Sequence, residues 1–306
     1  MSIFEAILLT VITASTPLVI AALGELVAER SGVLNLGIEG MMIMGAVAAF
    51  AGAQATGSPY IGLLAGIGAG ALFSLLFGFL TLTLVANQVA TGLALTILGL
   101  GVSGMLGEGY VSVPGVRLAP IVIPYLSDIP LLGSVLFRQD LTVYLSVALL
   151  LGVSWFLFRS RTGLKLRAIG DSHGSAHALG INVVRTRYLA VMFGGSCAGL
   201  AGAQLSLVYT PQWVENMSSG RGWITLALVV FASWRPWRVF AGGYLFGAVT
   251  ILQLHAQAFG VGIPAQFLSM LPYAATIVVL VIISHNRRTT LINTPASLGK
   301  PFVPER

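Results

Sequence analysis

Of the 306 residues, 56% are hydrophobic and only 8% are charged, with a mean hydropathy of +0.91. A soluble domain carries about 25% charged residues, so a soluble fold is excluded and a polytopic α-helical membrane protein is expected. The net charge of +6 does not point to nucleic acid, because the basic surplus sits in loops where membrane topology places it.

A membrane-crossing helix needs about 20 mainly apolar residues. On that rule the expected spans are Ile3–Leu23, Ile38–Ala55, Tyr60–Val85, Val89–Leu106, Leu141–Phe158, Tyr188–Val208, a short Trp223–Ala232, Phe240–Ala258 and Phe267–Ile283. The expectation is an all-α polytopic bundle of about eight to ten spans, forming one transmembrane domain over 1–306. The start, MSIFEAILLT, lacks a basic n-region and reads as part of a retained span. A single cysteine, Cys197, excludes an internal disulfide and reads as a packed thiol.

After the first span, Gly24 to Gly40 carries Glu25, Glu29, Arg30, Asn35 and Glu39 between two apolar runs. Two readings stay open: a broken helix lining a pathway, or an interhelix loop with surface charges. In the third span Gly62, Gly66 and Gly70 fall four apart, and Gly195/Gly199 and Gly243/Gly247 repeat the spacing. Such stripes let backbones approach, which predicts packing inside the bundle, with a dimer face as the alternative. Asn87 and Gln88 join the third run to the fourth, where amides bind a solute or satisfy a turn. The segment 109–140 holds Pro114, Pro120, Pro124 and Pro130 and is expected outside, as a lid, a docking rim or a connector.

The most polar stretch runs from Arg159 to Arg187. It holds six of the chain's 16 basic residues against one acid, Asp171, and so stays cytoplasmic. That leaves Trp234 to Arg238 and the tail with Arg287, Arg288 and Lys300 inside, and the N-terminus outside unless a further span lies near Glu25–Gly40. Within the loop, Asp171 or Ser172 can cap a two-turn helix and Gly180 can end it in a left-handed conformation. Ala176, Leu179 and Ile181 would form its apolar face. Two readings stay open for such a short helix: a docking surface for a soluble partner, or an ordinary retained loop. Beyond the loop, Gln204, Gln253, His255 and Gln257 interrupt apolar segments and are expected to bond between helices.

Much chemistry is absent. There is no phosphate loop, no G-x-S-x-G, no H-E-x-x-H and no Cys/His cluster, so no catalytic residue, metal ligand or cofactor is expected. The spans are also read as lacking the paired acids of an ion relay, which disfavours the competing class, an ion-coupled secondary transporter.

Several segments carry a resemblance. GELVAERSGVLNLGIEGMMIMGA, NQVATGLALTILGLGVSG, IPLLGSVLFRQDLTVYLSVALL, GLKLRAIGDSHGSAHALGINVVRTRYLA and GRGWITLALVVFASWRPWR resemble, over most of the chain, permease subunits of bacterial ABC importers for simple sugars, branched-chain amino acids and nucleosides. The nearest branch is the shorter of two paired permeases in nucleoside-type systems. The resemblance implies a multi-pass protein of the inner membrane that hydrolyses no ATP itself. It implies a second permease, a cytosolic ATPase with two fused nucleotide-binding halves and a lipid-anchored solute-binding protein. It also makes the basic loop a coupling element, with Arg167, Asp171, Ser172, His173, Ser175, Ala176 and Gly180 as its residues. Where the family usually carries Asn-Pro or an acid, this chain has Ser172-His173-Gly174-Ser175. For a nucleoside, Asn35, Glu39, Asn87, Gln88, Gln204, Trp213 and Trp223 are the pathway candidates, and a ribose-like sugar would use similar groups.

Overall fold

The computed structural model describes residues 3–127, 129, 132–258 and 293–303, with scattered positions between 264 and 281. Most of the expected span Phe267–Ile283, together with Arg287 and Arg288, lies outside the described residues. The described chain is helical: α1 (Ile3–Arg30), α2 (Ile38–Thr56), α3 (Pro59–Gly78), α4 (Gln88–Gly107), α5 (Leu132–Phe137), α6 (Leu141–Arg159), α7 (Arg161–Asp171), α8 (His173–Ala178), α9 (Val183–Gln204), α10 (Arg221–Phe231) and α11 (Pro236–Ala258). Single π-turns extend α3 over Phe79–Thr83 and α9 over Leu205–Tyr209. Seven of these helices are long and apolar enough to cross a membrane.

α9 is buried over most of its length and packs on α1, α2 and α3, while α4, α6 and α11 lie on the flanks. The glycine stripes explain the tight centre. A Cβ on Gly70 would stand 2.1 Å from the Gly195 carbonyl oxygen, and one on Gly199 would stand 2.2 Å from that of Gly66. Gly243 and Gly247 face Val19 and Ser15 of α1 in the same way. The stripes therefore serve packing within the bundle.

α1 departs from expectation. It does not stop at Leu23 but runs to Arg30, so Glu25 and Glu29 stand on a helix and are fully buried. This corrects both the reading of surface charges here and the reading that the spans lack paired acids. The run continues because Leu26, Val27 and Ala28 are core residues and the two carboxyls find donors elsewhere in the fold. Pro17 lies within α1, and its missing N–H frees the Thr13 carbonyl. Gln204 Nε2 on α9 donates to that oxygen at 3.1 Å, which is the expected bond between helices.

Arg30 and Gly32 meet Gly170 of the basic loop, Trp234 and Ser297, so α1 ends at the level of that loop. With the loop on the cytoplasmic side, as its basic residues lead one to expect, α1 begins at the outer end. At that outer end, 109–127 is packed down rather than standing free. Gln54 Nε2 donates to the Pro114 carbonyl, and the buried Leu118 donates its amide to the Leu207 carbonyl at 3.1 Å.

Candidate functional site

After α1 the chain stays only briefly at the basic-loop end, where Gly32 lies against Gly170. It turns at Gly32, where φ is +88°, and climbs inside the bundle. Leu34 donates its amide to Gln88 Oε1 at 2.8 Å, and Asn35 Oδ1 accepts the Gly37 amide at 2.9 Å. Gly40 then rests on Leu95, Thr96 and Gly99, two to three turns into α4, or roughly 10–16 Å along its axis. α2 thus starts at partial depth, as the broken-helix reading of Gly24 to Gly40 expects, with the break between Arg30 and Ile38.

A second helix starts at the same level. α10 has no cap on its own side chains, and Gly220 takes a left-handed φ of +81°. Its cap comes from α2: Glu39 Oε1 accepts the Ser218 hydroxyl and, at 2.9 Å, the Gly220 amide, while Oε2 accepts the Gly222 amide. A carboxylate at a helix N-terminus satisfies free amides and opposes the positive end of the dipole. Trp223, 37% exposed, stands one residue beyond this cap.

The pathway candidates therefore divide. Asn35, Glu39, Gln88 and Trp223 gather around the two partial-depth starts. Asn87, exposed, caps α4 by accepting the Ala90 amide. Gln204 serves the Pro17 break. Trp213 is buried at the outer end with Ile43, Val47 and Phe50, its ring against Gly107.

The basic end of the bundle is built from α7, α8 and a returning tail. Ser172, rather than Asp171, caps α8 by accepting the Ser175 amide, and Gly180 ends it at φ +79°. Asp171 closes α7, a helix not expected from the sequence. The expected apolar face splits: Ala176 is buried with Ile169 and Val183, while Leu179 is 82% exposed. The reason is Phe302, which comes back from the far end of the chain. Its ring centroid lies 5.3 Å from those of both His173 and His177, and it covers the inner side of α8. Ser297 donates its amide to the Gly170 carbonyl at 2.8 Å, and Gly299 donates to that of Gly32 at 3.1 Å. Arg187, buried at the foot of α9, donates to the Ser31 and Lys300 carbonyls and lies 3.4 Å from His173 Nδ1. Burial, then Arg187 and Lys300, hold the His173 ring below its ordinary value, so it favours the neutral form. Arg167 stacks over Phe158 at 5.2 Å. Among the described residues, no three His, Cys, Asp or Glu side chains group to hold a metal.

Residues 7–282 match the family model described as branched-chain amino acid transport system / permease component. The chain belongs to that permease family. It is 41% identical over 302 residues to the permease protein TsgC13 of Haloferax volcanii, provisionally named for a glucose ABC transporter, covering 92% of each chain. It is 33% identical over 280 residues to the guanosine ABC transporter permease protein NupQ of Bacillus subtilis, covering 87% of this chain and 88% of that one. It is 32% identical over 279 residues to the nucleoside ABC transporter permease protein NupC of Lactococcus lactis, at the same coverage.

As a permease of this kind, the chain is a multi-pass protein of the inner membrane and not an enzyme. ATP hydrolysis belongs to a separate subunit, and the family implies that subunit and a solute-binding protein as partners. What the sequence missed in the permease is the set that holds its foot together: Glu25, Glu29, Trp234, Arg187 and Phe302. Only the four-residue spacing of Glu25 and Glu29, with Leu26 to Ala28 between them, signalled one buried helical face.

Proposed function

We propose that this permease forms half of an import pathway for a nucleoside, paired with a second permease subunit, and that α8 is the element the ATPase moves. The observation that carries the coupling reading is α8 itself: a helix capped at Ser172 and stopped at Gly180, braced from inside by Ala176 and Phe302, with Leu179 facing out. Its tie through Arg187 to Ser31 gives a push on α8 a direct route to the turn from which α2 rises. Because Ala176 is core, a charge there would disturb folding as well as docking, and Leu179 is the cleaner probe. Leu179→Glu is expected to lower ATP-driven uptake at least tenfold while leaving folding intact. Wild-type uptake in that variant would remove α8 from the coupling role.

The nucleoside assignment is supported by the NupQ and NupC relatives and by amide and indole groups near the partial-depth starts. A sugar is the second reading, favoured by the higher identity to the permease named for glucose. Titrating the cognate solute-binding protein with guanosine, uridine, ribose and glucose separates them. Binding of glucose without either nucleoside would replace the first reading by the second.

A further inference from the structure

The foot of α1 holds two carboxyl groups that the coupling scheme does not use. Glu25 and Glu29 stand one helical turn apart on one face of α1, and both are fully buried. Each has one oxygen engaged: Glu25 Oε1 accepts the Asn35 amide at 3.3 Å, and Glu29 Oε2 accepts the Trp234 ring N–H at 2.6 Å. Their other oxygens, Glu25 Oε2 and Glu29 Oε1, are buried without a hydrogen-bond partner. Gln88, also buried, binds the Leu34 amide through Oε1, one residue from the amide that serves Glu25. Its Nε2 has no partner either.

The nearby cations turn elsewhere. Arg30 donates to the carbonyls of Trp234 and Asn293, and Arg187 donates to those of Ser31 and Lys300. Arg167, Asp171 and Arg235 act on Arg30. Glu39 is taken up by α10. Two carboxylates removed from water, one turn apart and with no cation on them among the described residues, would repel each other and lose their hydration with only one N–H each in return. One proton resolves this: the acid form of one residue donates its O–H to the free oxygen of the other, and both unpartnered atoms are satisfied. The pair then carries a single negative charge, facing the Asn35 and Trp234 N–H groups.

We propose that Glu25 and Glu29 form a proton-binding site, with one proton held between Glu25 Oε2 and Glu29 Oε1 at the cytoplasmic foot of α1. The site answers to conformation through Trp234. That residue lies in the turn between α10 and α11, and a movement of this turn away from α1 would take a donor from Glu29 and change the pair's hold on its proton.

Infrared spectroscopy of the full chain in lipid tests this without substrate or ATPase. At pH 7 the wild type should show the carbonyl band of a protonated carboxylic acid, shifted on exchange into D2O and lost as the pH is raised. Glu25→Gln/Glu29→Gln should lack the band, while Glu108→Gln, altered at an exposed position, should keep it. No exchangeable acid band in the wild type at pH 7 would overturn the proposal, whether or not the double variant folds. So would an unchanged band in a folded double variant. Stabilisation of the wild type by sodium, absent in the double variant, would assign the site to a metal cation and overturn the proton.

Discussion

Between α2, α3 and α9 the chain brings backbones together by leaving side chains out, whereas at the foot of α1 it fills the space with charged side chains and answers them with backbone groups. In the centre, Gly45, Gly66, Gly70, Gly195 and Gly199 form a contact in which almost any added carbon meets backbone. At the foot, Arg30 and Arg187 are buried and, among the described residues, donate to carbonyls rather than to a carboxylate. The first arrangement is steric and has one geometry. The second is a set of separable hydrogen bonds joining Ser31, Trp234, Asn293 and Lys300, and can be exchanged for another set when the parts move. An ATP-driven permease needs both: helices that hold their packing, and an end that changes partners.

The sharpest way to break this comparison is at the centre. Gly199→Leu is expected to destabilise the bundle by about 3 kcal/mol or more, because the new side chain meets the Gly66 backbone, which cannot rotate away. Thermal unfolding of the solubilised protein checks it. Unchanged unfolding would mean that the centre yields as readily as the foot. Next comes Arg187→Met, which keeps most of the volume but leaves two carbonyls without their donor. A loss of roughly 2–3 kcal/mol is expected. The Ser297 and Gly299 amides, bonded to Gly170 and Gly32, should also exchange hydrogen far faster than in the wild type. Global unfolding without prior release of the tail would make the foot part of the same rigid unit as the centre.

The two regions also differ in how legible they were. The glycine stripes follow from a fixed spacing along one helix, and the Ser172 cap and Gly180 stop follow from residue types a few positions apart. These are local rules, and the structure bears them out. The foot depends on partners far along the chain. Glu29 meets Trp234, 205 positions on, and Arg187 meets Lys300, 113 positions on. Locally, only the four-residue spacing of Glu25 and Glu29 around Leu26 to Ala28 hints at burial, and each glutamate taken alone reads as a surface charge. The misplacement of Leu179 has the same origin: a helix with two possible inner faces is oriented by what covers it, and Phe302 was not visible as the cover.

Phe302→Ala sharpens the comparison on a smaller scale. It removes both ring contacts to α8, worth about 1 kcal/mol, which corresponds to roughly fivefold faster exchange of the Ser297 and Gly299 amides. Glycine contacts in the centre should not respond. Faster exchange throughout α9 would show that the tail braces the whole bundle rather than α8 alone.

The smallest expected effect is a pH dependence confined to the tail. His173 faces Arg187 and Lys300, and with burial these favour its neutral form. A histidine held below its unfolded value binds fewer protons in the folded tail than in the released one, so the contact strengthens as pH rises. The contribution is fully present above the ordinary value of 6.5 and is lost as pH falls below it. Exchange at the Gly299 amide, corrected for its intrinsic rate, should therefore quicken between pH 7.5 and pH 5.5 in the wild type, and lose that dependence in His173→Gln. His177, which shares the Phe302 contact without facing Arg187, supplies the control. If His177→Gln, and not His173→Gln, removed the dependence, the proton would be read at the open side of α8 and the Arg187 contact would play no part in it.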